Sequence, residues 1–595
     1  MENKTGYIAA IARGHNAGVC LLKDGEIVFS IEEERLTRQK YDGGPYASML
    51  KILEYTDKID YLVVAHTQLL KDTAGRVDFS GDDVYTGLAR KLGLISRKEN
   101  NHEHPQVIDL SHIHHRLHAA CAFYRSGFDE ATAVIVDGAG TFMPMNVNGE
   151  ETIGWETETV FECKYPDAIR TVYKHIGTRG PHYGGKLQIA EGESEYTAFL
   201  TDTAGIVKAY EAATQYCGFS AIEAGKTMGL FPYGKENPNI PKMFHYDSIV
   251  PTTNRNLIIP TYPNAGAINA GHYAELETKE EEYIDTDLTT LQNRRDIAYA
   301  VQTQTQERVT QLIKEAVEMT GIKNVVISGG YGLNCVANYH YLKELDDDIN
   351  IYVEPISNDA GTALGAALLF HKASEQDETV MQRSDDLYLG PKYEYSTKEI
   401  YSLGKSYNAE IEDADHQRVV DLITSKNIVS VFQGRSENGP RALGNRSILY
   451  DPTDPNGKDH VNTVKRREYF RPFAGSILEE DVHEWFDLRG MESSPTMMYA
   501  VNCQPGIEER IPAIIHVDGT CRIQTVNREQ NPHYYDLIKT FKDKTGCPII
   551  FNTSFNLGGE PLVETLEDAL WTLQQSEIEY LYLPEYGKLL TIKNK

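Results

Sequence analysis

The stretch SHIHHRLHAACAFYRSGFDEATAVIVDGAG, Ser111 to Gly140, constrains this chain more than any other. Ser111 can cap a helix, and the run behind it lacks Gly and Pro. His114 and His118 are four residues apart and so share one face of that helix. ATAVIVD then reads as a buried β-branched strand that delivers Asp137 into a tight loop at Gly138 and Gly140. Two imidazoles on one helix face can grip a metal when further ligands approach from elsewhere, and Asp137 is a candidate. The plainer reading, polar histidines beside a core strand, stays open at this point.

The chain has 595 residues, too many for one ordinary core, so two or more domains are expected. No apolar run reaches the length of a membrane span. The start, MENKTGYIAA, lacks a basic segment and apolar core, so no secretory signal is expected. Eight cysteines without a CxxC pair fit a reduced, cytoplasmic setting better than a disulfide framework. The formal net charge of −29 argues against non-specific binding of a phosphate backbone, and solubility alone can account for it.

The first 35 residues or so read as strands, with Lys23-Asp24-Gly25 as a hairpin turn and His15 in the first loop. EEERLTRQK follows and carries Lys40. From about 164 to 289 the pattern is irregular and rich in Gly, Pro and Tyr, which predicts an insertion lining a cleft. Within it, EAGKTMGLFPYG has glycines and Lys226 that could approach a phosphate, although it is not a Walker loop. Arg295 to Thr320 has helical periodicity. KNVVISGGYGLNCVANYHYLKEL then reads as strand, Gly329-Gly330 turn and helix, with Asn334 in the connection. IYVEPISNDAGTALGAALLF repeats that design and places Asn358 and Asp359 in its loop. Such Gly-rich turns before helices can hold anions, and equally they can be plain connections.

Residues from about 375 to 395 read as a linker or domain edge. Beyond it, NIVSVFQGR leads into SENGPRALGNRS, with Arg441 and Arg446. Further on stand Lys465, EYFRPF with Arg471, IPAIIHVDGTCRIQTV with Arg522, and CPIIFNTSFNLGGEPLVET with Asn552, Thr553, Ser554 and Asn556. Five cations flanked by Gly, Pro and small polar residues near strand ends suit a shared phosphate or carboxylate pocket.

Taken as a set, HHRLHAA, EAGKTMGLFPYG, GGYGLNCVAN, SNDAGTALGAA, NGPRALGNRSI, REYFRPFAGS, IPAIIHVDGTCRIQTV and FNTSFNLGGEP resemble the NodU/CmcH-type O-carbamoyltransferases over nearly the whole chain. The resemblance implies an α/β protein of two domains. Residues 1–380 would have the fold of actin, sugar kinases and the threonylcarbamoyl transferase of tRNA. Residues 390–595 would form a YrdC-like α/β domain. It further implies that the C-terminal domain makes carbamoyl adenylate from carbamoyl phosphate and ATP, and that the N-terminal domain moves the carbamoyl group onto a hydroxyl.

Carried over by motif, His114, His118, Asp137 and Asp359 would hold a divalent metal, with iron as the expected ion. ATP and Mg2+ are the other implied cofactors. Arg441, Arg446, Lys465, Arg471, Arg522, Asn552, Thr553, Ser554 and Asn556 would surround carbamoyl phosphate and the nucleotide. Gly138, Gly329, Gly330 and Asn334 would lie on the nucleotide side. His15 matches a first-loop histidine near the acceptor and is the candidate base, and Lys40 matches a lysine that meets the adenylate. Two departures stand out. The family often follows the first-loop histidine with Asp, where this chain has Asn16. It often has a basic or polar residue before Gly-Glu-Pro in the last motif, where this chain has Gly558.

The expected acceptor is a small hydroxylated molecule, such as a sugar or an antibiotic alcohol. A hydroxymethyl-pyrimidine nucleotide or DNA base is the alternative, and an ATP-binding regulator on the actin-like fold is a non-enzymatic rival. No membrane partner is expected, and the resemblance allows a homodimer.

Overall fold

The computed structural model describes residues 6–69, 83–98, 104–147, 149–178, 185–191, 194–201, 205–244, 258–259, 267–268 and 287–593. The chain divides into two compact units. Unit 1 takes in Met1–Val28 and Gly43–Ser384, and unit 2 takes in Phe29–Asp42 and Asp385–Lys595. Lys40 thus falls in the second unit.

Unit 1 uses one sheet order twice. The first sheet has β1 (Tyr7–Ala12), β2 (Gly18–Lys23), β3 (Glu26–Glu32, of which unit 1 holds the residues up to Val28), β4 (Tyr61–Ala65) and β5 (Val107–Asp109), in the order β3-β2-β1-β4-β5. Asp24 and Gly25 both take positive φ between β2 and β3, as the Asp-Gly hairpin signal predicts. Next come β6 (Glu130–Val136), β7 (Phe142–Val147), β8 (Glu150–Lys164), β9 (Ala168–Thr178), β10 (Gly185–Glu191) and β11 (Ser194–Thr201). A short ladder follows, β12 (Ile258–Ile259) and β13 (Ala267–Ile268), then β14 (Asn324–Ser328) and β15 (Asn350–Val353). In the second sheet the order β9-β8-β6-β14-β15 reproduces the first. In each sheet the third-placed strand runs antiparallel to its earlier neighbour and parallel to the next. This duplicated plan is the actin- and sugar-kinase-like α/β architecture expected for the N-terminal part.

The expected insertion is less irregular than its composition suggests. β9 is an inner member of the second sheet, and β10 and β11 extend that sheet past it. Residues 179–184, 192–193, 202–204, 245–257, 260–266 and 269–286 of that segment lie outside the described residues. EAGKTMGLFPYG also departs from expectation. Ala224–Leu230 is a helix and Phe231–Tyr233 a 3-10 turn, and Lys226 pairs with Glu223 at 2.8 Å. It is not an open phosphate loop.

Two helices set the stage for chemistry in unit 1. Helix His114–Ser126 precedes β6, and helix Ala360–Glu375 follows β15. The small residues of AGTALGAA let these helices touch. A Cβ on Gly365 would come within 2.0 Å of the Leu117 carbonyl oxygen of the other helix, while one on Gly361 would come within 2.1 Å of the Ile356 carbonyl oxygen in the turn before its own helix. Only glycine permits an approach of backbones this close. The contact draws Asp359, the N-cap residue of the second helix, toward the first.

Unit 2 is a mixed ten-stranded sheet with helices. Its strands are β16 (Glu410–Asp413), β17 (Val429–Phe432), β18 (Arg446–Tyr450), β19 (Ala474–Leu478), β20 (Phe486–Asp487), β21 (Ala500–Cys503), β22 (Thr520–Val526), β23 (Ile549–Ser554), β24 (Tyr580–Leu583) and β25 (Lys588–Thr591). They run in the order β16-β25-β24-β17-β18-β23-β19-β22-β21-β20. Gln376 to Ser396 contains no helix or strand, and the division between the units falls within it, after Ser384. All eight cysteines are free thiols. Among the described residues no helix is long and apolar enough to cross a membrane.

Candidate active site

The helix and strand of the opening motif converge as read, but the helix starts differently. Ser111–Ile113 forms a 3-10 turn, the α-helix begins at His114, and no side chain within the turn caps it. The cap comes from across the fold: Thr141 Oγ1 accepts the His114 N–H at 3.0 Å. The α-helical period then stacks His114 and His118, whose rings meet edge to face at 4.8 Å.

Asp137 ends β6 and Asp359 begins helix Ala360–Glu375, and both carboxylates reach these rings. His114 Nε2 lies 3.4 Å from Asp137 Oδ2 and 3.5 Å from Asp359 Oδ1. His118 Nε2 lies 3.9 Å and 3.6 Å from the same two oxygens. One ligand atom from each of the four residues falls within 4.8 Å of the others. These separations are too long for good hydrogen bonds. Both Nε2 atoms are buried without a hydrogen-bond partner among the described residues. Two nitrogens and two carboxylates aimed at one point, none satisfying another, fit a divalent cation. Burial alone would disfavour a charged His114, but Asp137 and Asp359 outweigh it and hold its pKa up to about 10.

The surroundings hold these side chains in place. Gly330 donates its N–H to Asp137 Oδ1 at 2.9 Å. Gly329 has φ +89°, and a Cβ there would sit 2.4 Å from the Val136 carbonyl oxygen. Ser328 Oγ is 3.3 Å from His118 Nδ1. Gly329 and Gly330 therefore serve the carboxylate cluster directly. Asn334 accepts the Ala337 N–H as a helix cap and exchanges hydrogen bonds with Gln302, so its amide is engaged within the fold. Gly138 faces the Glu211 carboxylate. His15 is half-exposed, and its Nδ1 lies 3.8 Å from Asp359 Oδ2.

Unit 2 gathers a second constellation. Lys465 is buried and donates to the Ser554 carbonyl, and it lies 3.3 Å from Ser554 Oγ and 3.1 Å from Asn556 Oδ1. Arg467 donates to Thr553 Oγ1 at 3.4 Å and stacks over Phe473. Arg471 pairs with Glu468 at 3.6 Å. Burial, then the charges of Arg467, Arg471 and Lys40, pushes the Lys465 pKa well down. Burial, then Arg471 and Arg522, does the same to Arg467. Arg471 is lowered by burial and by Arg522, against the opposing pull of Glu468. Such crowded cations favour an anionic ligand. Arg467 is absent from the sequence-derived set, although the run Lys465-Arg466-Arg467 carries it.

Arg446 and Asn552 are placed differently. Arg446 is fully buried over the Phe432 ring. Its NH1 donates to the Gln433 carbonyl at 2.6 Å, and its Nε and NH2 donate to that of Glu564 at 3.2 and 3.1 Å. That guanidinium is committed to the backbone of the unit. Asn552 donates inward to Ser476 Oγ at 2.9 Å and the Ala442 carbonyl at 3.1 Å. Arg441 stands on the loop whose Leu443 and Asn445 N–H groups converge on Glu437. Gly558 donates to the Lys465 carbonyl at 2.8 Å, and a Cβ there would lie 2.5 Å from the Arg466 carbonyl oxygen. The departure at Gly558 therefore buys a close backbone contact behind Lys465.

Comparison with known proteins follows this geometry. The family profile described as Carbamoyltransferase N-terminus matches residues 75–368, and that described as Carbamoyltransferase C-terminus matches 420–588. Nodulation protein NolNO of Sinorhizobium fredii is 30% identical over 96% of this chain and 78% of its own length. The 3'-hydroxymethylcephem-O-carbamoyltransferase of Streptomyces clavuligerus is 32% identical over 42% of this chain and 46% of its own. Among solved structures, full-length HypF in its phosphate- and nucleotide-bound form aligns with a TM-score of 0.36 at 13% identity, covering 62% of this chain and 55% of that one.

Proposed function

The chain belongs to the carbamoyltransferase family, and on that premise we propose that it is an ATP-dependent O-carbamoyltransferase whose two half-reactions use separate residue sets. The observation that carries this reading is the cation cluster of unit 2, the buried Lys465 with the partly exposed Arg467, Arg471 and Arg522, whose mutual repulsion an anion would relieve. Carbamoyl phosphate and ATP supply such anions. Water displaces inorganic phosphate from carbamoyl phosphate. A carbamate oxygen then attacks the α-phosphorus of ATP, with Mg2+ as its counter-ion, and pyrophosphate leaves. The product, carbamoyl adenylate, keeps the group activated. Enclosure by the cationic wall, with Ser554, Thr553 and Asn556 as hydroxyl and amide neighbours, limits its hydrolysis. Lys40 is the candidate contact to the adenylate, and Arg441 a further anion contact.

Transfer is assigned to the His15 neighbourhood of unit 1. His15 is exposed enough to meet an acceptor and has the Asp359 carboxylate beside it. It would take the proton of the attacking hydroxyl as that oxygen bonds to the carbamoyl carbon and AMP leaves. His114, His118, Asp137 and Asp359 would hold a divalent ion, with Fe2+ as the expected one. When bound, such an ion supplies Lewis acidity and neutralises developing negative charge. Arg446 and Asn552 act by holding the unit 2 framework.

The net charge of −29 favours a free hydroxylated acceptor over duplex DNA. The test is incubation with ATP and carbamoyl phosphate against a panel of sugars, antibiotic alcohols, hydroxymethyl nucleotides and hydroxymethylated DNA, read as a mass gain of one carbamoyl group. Modification of a small alcohol supports this reading. Exclusive modification of DNA overturns the acceptor assignment, and no product from any alcohol overturns the transferase assignment.

A further inference from the structure

A buried carboxylate outside the candidate ligand set ties together the two segments that carry His114 and Asp137. Glu156 lies on β8, two residues before the Val136–Glu158 pair that closes the β6 ladder. Its backbone extends the pairing into the loop after β6: Gly140 N–H donates to the Glu156 carbonyl at 2.9 Å, and Asp137 N–H to that of Thr157 at 3.0 Å. The side chain, 2% exposed, turns into the same loop. Its Oε2 accepts the Thr141 N–H at 2.8 Å and lies 3.5 Å from the His115 N–H. Thr141 in turn accepts the His114 N–H. From the neighbouring strand β9, Lys174 Nζ donates to Glu156 Oε1 at 2.7 Å. Gly140 leaves the room this needs, because a Cβ there would sit 2.6 Å from Glu156 Oε2.

We propose that Glu156, neutralised by Lys174 and relayed through Thr141, is the positioning residue of the His114–His118–Asp137–Asp359 cluster. One carboxylate fixes the first turn of the histidine helix and the loop behind Asp137 in a single arrangement. Burying a charge is costly unless it is paired and hydrogen-bonded. Here Lys174 and the Thr141 N–H do both, so the charge is retained where it sets the spacing of the two segments that carry His114 and Asp137. Outer-shell partners of metal ligands commonly govern affinity by about 10–100-fold. This inference rests on reading the cluster as a metal centre.

The test uses the full chain, freed of metal and titrated with Co2+, read by dissociation constant and by the visible d–d absorption. Glu156→Ala should raise the Co2+ dissociation constant at least tenfold and alter the band positions. Glu156→Gln, which keeps an oxygen for the Thr141 N–H, should recover most of both. Thr141→Val, which removes only the hydroxyl at His114, should also weaken Co2+ several-fold, and it serves if Glu156→Ala does not fold. Wild-type affinity and spectrum in Glu156→Ala, or in Thr141→Val when the first variant is unfolded, would overturn the assignment to Glu156. A wild-type chain that takes up no Co2+ would overturn the metal-centre reading beneath it.

Discussion

Gly330 donates its backbone N–H to Asp137 Oδ1 at 2.9 Å, so the turn after β14 holds the carboxylate that ends β6. The pairing explains two consecutive glycines where a sequence reading sees only a flexible turn. Gly329 must take φ +89° and pass over the Val136 carbonyl, and Gly330 then presents its N–H to Asp137.

Gly329→Ala should therefore cost about 2–4 kcal/mol, from left-handed strain together with the backbone clash. Bound metal should fall with it. Thermal unfolding and metal analysis check this, and a variant with wild-type melting would contradict the constraint.

His118→Ala should abolish metal uptake and carbamoyl transfer while leaving part of the carbamoyl-phosphate-dependent pyrophosphate release. The ring is one of the four converging side chains in unit 1, and the cation cluster lies in unit 2. Stoichiometric metal in the variant would remove His118 from the ligand set.

Arg467→Ala and Arg446→Ala should fail in opposite ways. Loss of Arg467 removes one of several crowded cations, so stability should hold or rise while pyrophosphate release drops by tenfold or more. Loss of Arg446 strips the Gln433 and Glu564 carbonyls of their donor and takes away one of the positive charges that oppose the cost of burying the Glu564 carboxylate. That should destabilise the chain by about 3–5 kcal/mol. Chemical denaturation beside a pyrophosphate assay separates the two effects.

Unit 2 should lose stability in mild acid through His516. Burial pushes its pKa down to about 4, while an unfolded histidine titrates near 6.5. Below about pH 6.5 the unfolded chain binds a proton that the folded one does not, so this contribution is complete above that pH. It drains away as pH falls toward about 4, on the order of 3 kcal/mol in all. Unfolding of wild type and His516→Gln at pH 7 and pH 5 should show a smaller pH dependence in the variant.

The parts of the site that a sequence shows are those set by local period. The His114–His118 spacing and the run into Asp137 depend on one helix and one strand, and the hairpin at Asp24-Gly25 depends on two residues. Asp359 joined the set only through family motifs, because its approach depends on the close helix contact at Gly365. Ser111 was a reasonable cap from sequence, yet Thr141, which nothing local connects to His114, takes the role. Glu156 was invisible because an acid in the alternating strand WETETVFE reads as a solvent face. Arg446 looked like an anion ligand because its partners, Gln433 and Glu564, are set by sheet packing. Lys226 looked like a phosphate contact until a helix paired it with Glu223.

The most direct test of the two-part account is pyrophosphate release from ATP by the wild-type chain, with carbamoyl phosphate present or withheld and no acceptor added. The account predicts release that requires carbamoyl phosphate and is lost in Lys465→Ala. Release that ignores carbamoyl phosphate, or no release under any condition, would contradict it.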